Sequence, residues 1–211
     1  MKYNYIAIEG TIGAGKTTLA EKIAEQYNAK LILEQFEDND FLPKFYKEPD
    51  KYAFPLEMSF MASRFQQLKD QLSNQDLFKS FTIADYFINK TLIFARNTLK
   101  DDEYALFSKF FNFINSSLPK PDLLVYLYVD VDRLKNNIVN RGREYEKNIK
   151  KSYLDKIQSG YFNYIRQQRK MRILIIDANN IDFVKNQDDY YKIINVIKQS
   201  YEIGIHRIEL T

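Results

Sequence analysis

Apolar positions along the chain alternate between two periods. Short, nearly continuous apolar runs at 5–9 (YIAIE), 30–34 (KLILE), 80–85 (SFTIAD), 122–130 (DLLVYLYVD) and 171–177 (MRILIID) read as strands. The run at 122–130 is the most continuous, as a parallel strand covered on both faces requires. Between these runs the spacing becomes helical. In TTLAEKIAEQY (17–27), Leu19, Ile23 and Ala24 share one face. Residues 54–72 read as one long helix, followed by helices at 86–99, around 103–117, at 131–142 with Gly142 as its stop, within 147–170 and at 190–201. Strands separated by helices pair in parallel through right-handed crossovers. The expectation is a three-layer α/β domain over 1–211, with about five parallel strands flanked by helices. No repeat, low-complexity segment or linker divides it.

Composition narrows the chemistry. The chain has no cysteine and one histidine, His206. Disulfides, thiolate nucleophiles, Cys-ligated metals and His-rich metal sites are therefore excluded. Lys+Arg 31 against Asp+Glu 28 gives a net charge of +3, too mild to argue for a nucleic-acid partner. No apolar run approaches the length of about 18 residues that spans a bilayer. The start, MKYNYIAIEG, is too quickly polar for a signal peptide. A cytoplasmic protein without a membrane partner is expected.

The strongest local signal is Gly10-Thr11-Ile12-Gly13-Ala14-Gly15-Lys16-Thr17, which fits G-x-x-x-x-G-K-[ST] between a strand and a helix. Glycines let backbone N–H groups turn onto phosphate oxygens. Lys16 brings a charge to the β- and γ-phosphates, Thr17 a hydroxyl to Mg²⁺, and the following helix its N-terminal dipole at Thr18. This predicts a P-loop nucleoside triphosphate-binding fold with ATP and Mg²⁺ as cofactors. INKT (88–91) resembles the guanine-reading N-K-x-D of GTPases. However, Thr91 stands in place of the aspartate and the tetrad follows the wrong strand, so it reads as helix surface.

Other candidates lie where ligands bind in parallel sheets, beyond the carboxyl ends of strands. Glu34 closes the second strand and is placed to take a proton from an attacking hydroxyl, unless it is a solvated loop acid. Asp85 ends the third strand, where it either holds Mg²⁺ or caps the helix beginning near Tyr86. Glu57 and Arg64 are seven apart on the long helix, about 10.5 Å along its axis and on one side. An acceptor carboxylate and a donor fork suit the edges of a base; two exposed charges are the alternative. Arg141, Arg143 and Glu146 follow Gly142's helix, where they can close over phosphates or simply decorate a helix end.

Together these motifs resemble the deoxynucleoside kinase family, from Tyr5 to about Ser200. The resemblance implies that Glu34 is the general base for the sugar 5′-hydroxyl. It places Tyr46 and Glu146 at the sugar and Glu57 at the position of a base-reading glutamine, with Arg64 beside it. RGREYE looks like a short arginine-containing lid, about 141–149, and IIDANNIDF like the donor-adenine segment, with Asp182 and Phe183. Three departures stand out. Ala84-Asp85-Tyr86 replaces an acid-Arg-Ser motif, and a lid arginine or Arg64 is the expected substitute for the missing arginine. Glu57 replaces the glutamine, and Asn137 a lid arginine.

The implied reaction is transfer of the ATP γ-phosphate to the 5′-hydroxyl of a deoxynucleoside, of the bacterial purine type. Lys16, Arg141 and Arg143 are the catalytic cations and Glu34 the base. The implied assembly is a homodimer. Two rivals remain: a nucleoside monophosphate kinase such as thymidylate kinase, and a nucleotide-binding regulator that has lost turnover.

Overall fold

Strand β1 (Tyr5–Gly10) is buried along its whole length and sits at the centre of the sheet. A computed structural model of the chain describes residues 1–35, 39–73, 76–146 and 148–211. The other strands are β2 (Lys30–Ile32), β3 (Thr82–Ala84), β4 (Leu123–Tyr128), β5 (Arg172–Asp177) and β6 (Gly204–Glu209). All pairings are parallel, in the order β2-β3-β1-β4-β5-β6. The period of two in each strand sorts its side chains into two cores. Ile6, Ile8, Val125, Leu127, Leu174 and Ile176 face one side, where they meet α1 (Lys16–Tyr27), α6 (Val131–Arg141) and α8 (Gln187–Ile197). Tyr5, Ala7, Leu124, Tyr126, Ile173 and Ile175 face the other. There they meet α3 (Pro49–Leu72), α4 (Lys90–Thr98), α5 (Asp101–Asn115) and α7 (Lys151–Gln167). A short helix, α2 (Leu42–Lys47), packs Phe45 against Leu56 and Phe60 of α3. The three-layer expectation holds.

The sheet has six strands rather than about five. The segment GIHRIE alternates half-buried with exposed positions because β6 is an edge strand, so it lacks the continuous apolar run of a central one. It nevertheless pairs with β5 from Gly204 to Glu209. Helix α4 starts at Lys90 behind an Asn89 cap, not at Tyr86. The intervening turn is fixed by a buried carboxylate at the end of β1. Glu9 accepts from the Phe87 N–H at 2.7 Å and the Tyr161 hydroxyl at 2.8 Å. Asp85 is therefore not a helix cap; it lies one residue beyond β3. Glu34 lies two residues beyond β2 instead of closing it. Helix α3 begins earlier than expected, at Pro49, and α7 lies within the expected 147–170, at Lys151–Gln167. Of the expected lid 141–149, Lys147 lies outside the described residues. Gly142 does end α6, in a left-handed conformation at φ 78°.

Tyr161→Phe leaves a Glu9 oxygen short of a donor in a buried site. It is expected to cost about 1–3 kcal/mol, read by urea unfolding. A stability unchanged from wild type would show that Glu9 does not depend on this bond.

Candidate active site

The loop after β1 is shaped by left-handed glycines. Gly13 and Gly15 both have φ 87°, and a Cβ on Gly13 would stand 2.8 Å from the Leu134 carbonyl oxygen. Gly15 lies under the Phe183 ring, where a Cβ would meet Cζ at 2.7 Å. The Asn137 side chain donates to the Gly13 carbonyl at 2.9 Å, so the asparagine in place of a lid arginine braces the loop. Arg133 donates to the carbonyls of Ala178, Asn179 and Ile181, and Lys22 to those of Phe183 and Val184. These bonds tie the segment after β5 to α1 and α6. The resulting cleft encloses about 1780 Å³, open mouth included. Its walls include Gly13, Ala14, Gly15, Lys16, Thr17, Thr18, Arg141, Arg143, Asp182 and Phe183. Gly10 ends β1 and Thr11 is buried, and neither is in the wall of this cleft, while Ile12 lines a second cleft instead. The other predicted donor residues meet in one cleft.

A second cleft, of about 790 Å³ with its open mouth included, lies across Lys16 and Thr17 from the first. Glu34, Tyr46, Glu57, Arg64, Asp85 and Glu146 all line it, as do Arg141 and Arg143. These two arginines border both clefts, and both hold Glu146. Arg141 pairs with one oxygen, and Arg143 reaches the other at 3.5 Å. Tyr46 stacks on Tyr145 with ring centroids 5.9 Å apart. Burial and the nearby Glu146 push the Tyr46 phenol up.

Glu34 is the centre of a buried charge network. Arg64 Nε donates to its Oε1 at 2.8 Å, with Nη2 at 2.6 Å, and Lys90 Nζ holds Oε2 at 2.5 Å. Burial favours a neutral carboxyl, but Lys90 and Arg64 outweigh it and hold Glu34 down at about 2. The Glu34 N–H donates to Asp85 Oδ1 at 2.7 Å, while Thr17 Oγ1 donates to Asp85 Oδ2 at 2.6 Å. Lys16 donates to the Thr11 carbonyl at 3.3 Å. Burial, with the nearby Lys90 charge, lowers it to about 8.

Arg64 does turn inward, as the missing arginine suggested, and its Nη1 also donates to Thr91 Oγ1 at 2.9 Å. This leaves one hydrogen on each terminal guanidinium nitrogen for other acceptors. Lys90 was not foreseen as a site residue. Reading INKT as helix surface was wrong, since Lys90 is 7% exposed and Thr91 is 0%. The glutamate 56 positions away that buries Lys90 is invisible to a local pattern. Glu9, a buried acid beside both lysines, was also missed.

Glu57 and Arg64 share one side of α3 and both are buried, which removes the reading as exposed charges. Glu57 Oε1 accepts from the Thr98 hydroxyl at 2.8 Å, while Oε2 is buried without a partner. Burial raises this carboxyl to about 7, against the pull of Arg64. Among the described residues, no cluster of three or more His, Asp or Glu is arranged to hold a metal. Likewise no described helix is long and apolar enough to cross a membrane.

Comparison with known proteins places the chain in a family. The family model described as deoxynucleoside kinase matches residues 6–202. The chain is 38% identical over 200 residues to a deoxyguanosine kinase of Bacillus subtilis, covering 92% of this chain and 96% of that one. It is 32% identical over 203 residues to a deoxyadenosine kinase of Dictyostelium discoideum, covering 94% and 79%. A solved structure of the deoxyadenosine kinase from M. mycoides, with the products dCMP and a flexible dCDP bound, is similar at TM-score 0.78. It is 26% identical, with 92% of this chain and 98% of that chain covered.

The low Glu34 value makes a prediction about acid stability. A folded-state value near 2, below the ordinary 4.5, stabilises the fold above the ordinary value. That contribution is lost as pH falls through the folded value. The stability difference between wild type and Glu34→Gln, read by urea unfolding, should therefore shrink between pH 4.5 and pH 2. A difference independent of pH over that window would place Glu34 outside the ion pairs.

Proposed function

Because the chain belongs to the deoxynucleoside kinase family, we propose that it phosphorylates purine deoxynucleosides from ATP, deoxyguanosine first and deoxyadenosine second. The observation that carries the base choice is the buried Glu57 Oε2 without a partner in the acceptor cleft. An ionised carboxylate only accepts. Guanine presents N1–H and its 2-amino group side by side, two donors for one carboxylate. Adenine's 6-amino group neighbours only acceptors, so it satisfies a carboxylate less fully. Thymine has an N–H between two carbonyls, which a carboxylate repels. The 38% identical deoxyguanosine kinase supports the same order.

In the proposed reaction the acceptor 5′-hydroxyl lies beside Glu34. The new bond forms between that oxygen and the γ-phosphorus, the bridging P–O bond of ATP breaks, and the hydroxyl proton passes to Glu34. A carboxylate held so strongly ionised is a weak proton acceptor, which suits a loose transition state where the proton leaves late. Its larger task is to orient the hydroxyl. Lys16 meets the β- and γ-phosphates, and Arg141 and Arg143, bordering both clefts, cover the transferring group. Thr17 Oγ1 and Asp85 Oδ2, 2.6 Å apart, form a hydroxyl–carboxylate pair of the kind that holds Mg²⁺ together with phosphates and water. Bound there, Mg²⁺ would neutralise phosphate charge. Tyr46 and Glu146 are proposed to meet the sugar 3′-hydroxyl. Glu34 beside the acceptor group disfavours the monophosphate-kinase reading, since a carboxylate there would repel an acceptor phosphate.

We also propose a homodimer. Leu106, Phe110 and Phe113 are exposed at i, i+4 and i+7 along α5, an apolar stripe on one side of the helix. Sedimentation velocity should give a dimer for wild type and a monomer for Phe110→Glu. A wild-type monomer at micromolar concentration would refute the assembly.

The function is tested by kcat/KM with ATP for the four deoxynucleosides. Deoxyguanosine should be best, and Glu57→Gln should move preference toward deoxyadenosine by about tenfold or more. Guanine binding needs ionised Glu57, so deoxyguanosine KM should fall as pH rises through about 7. Thymidine as best substrate, or a preference untouched by Glu57→Gln, would overturn the assignment.

A further inference from the structure

One cation in the acceptor cleft has no assigned task. Lys90 is the first residue of α4, and its ammonium lies against Glu34 Oε2 in the wall of the cleft. We propose that Lys90 is a positioning residue for phosphoryl transfer, fixing the Glu34 carboxylate so that one orientation meets the acceptor hydroxyl. This rests on the reading of Glu34 as the group facing that hydroxyl.

The network around Glu34 motivates the assignment. Arg64 places both Nε and Nη2 on the same oxygen, Oε1. With Arg64 alone the carboxylate could swing Oε2 about that anchor. Lys90 holds Oε2 from the opposite side, so the carboxylate plane is determined by two cations on two elements. The backbones of both partners are held by common supports. Gln67 Nε2 donates to the Leu33 carbonyl at 2.8 Å, just before Glu34, while its Oε1 accepts from the Tyr86 hydroxyl at 2.7 Å. Asp85 Oδ1 accepts from the Glu34 N–H. Glu9 fixes the Phe87 N–H, three residues before Lys90.

The same supports explain why the cation comes from residue 90. The residue after Asp85 is Tyr86, whose side chain is fully buried and directed to Gln67 on α3. It leaves the space beside Oε2 to be filled from further along the turn. Lys90 fills it with its ammonium 5.5 Å from the Phe94 ring centroid. Burying an ammonium is costly unless it is paired, and Lys90 is 7% exposed. A site that needed only packing would take an apolar residue there.

The test is a kinetic cycle of Lys90→Met, Glu34→Gln and the double variant, with Lys90→Arg alongside. Lys90→Met should lower kcat by about tenfold or more while KM for ATP stays within about twofold. In the Glu34→Gln background the same change should cost less than about twofold, because Lys90 acts through Glu34. Lys90→Arg, which keeps the cation, should hold kcat within about fivefold of wild type. Wild-type kcat in Lys90→Met, full additivity in the double variant, or equal impairment of Lys90→Arg and Lys90→Met would each overturn the inference. If Lys90→Met does not fold, Lys90→Gln takes its place in the cycle. If neither neutral variant folds, Lys90→Arg alone decides by the same limit. Glu34→Gln with wild-type kcat would refute the reading of Glu34 itself. An impaired Glu34→Gln beside an unimpaired Lys90→Met would refute only the role of Lys90.

Discussion

A glutamate taken out of water at the end of a sheet must be matched by positive charge, and the site of this protein is organised around that requirement. Desolvating a carboxylate costs several kcal/mol even after relaxation, and the cost is recovered only with close partners and satisfied lone pairs. Glu34 has both. Arg64 comes from the long helix α3, Lys90 from the start of α4, and the Glu34 backbone is held by Asp85 after β3. Three chain segments distant in sequence are thereby fixed relative to one another. Asp85 in turn accepts from Thr17, so the acceptor side is coupled to the phosphate loop through one carboxylate.

The sheet supplies the frame in which this network can exist. Parallel strands send all their carboxyl ends to one edge, so the loops after β1, β2 and β3 meet there without further design. The two cores on either face hold that edge in register. Above it Arg141 and Arg143 pair with Glu146 and border both clefts. In the proposed reaction that position lets them meet the phosphoryl group as it passes between the two. Opposite them, Glu57 stands with one oxygen satisfied by Thr98 and the other without a partner. The wall of the cleft therefore carries an acceptor oxygen open to a ligand donor.

The phosphate loop was legible in the sequence because its chemistry is local: glycines, lysine and threonine at fixed offsets, between a strand and a helix. The inner strands were legible because burial on both faces demands continuous apolar runs, as in β4. Strand β6 was not, because an edge position lets His206 and Arg207 interrupt the pattern. Helix α2 is too short to show a period. At the site, resemblance placed Glu34, Glu57, Asp85 and the lid arginines in a common region, and the geometry brings them to the walls of adjoining clefts. Lys90 was missed because its meaning lies in a contact across 56 residues. Glu9 was missed because an acid inside an apolar strand gives no sign of the turn it will hold.

The most direct test of a carboxylate-centred acceptor site is the identity of the product. Anion-exchange chromatography can follow ATP supplied with an equimolar mixture of deoxyguanosine and deoxyguanosine monophosphate. A site in which Glu34 orients a hydroxyl and repels an acceptor phosphate predicts that the 5′-monophosphate and ADP grow in equal amounts, with no diphosphate of deoxyguanosine formed. Growth of the diphosphate of deoxyguanosine while the nucleoside persists would contradict it.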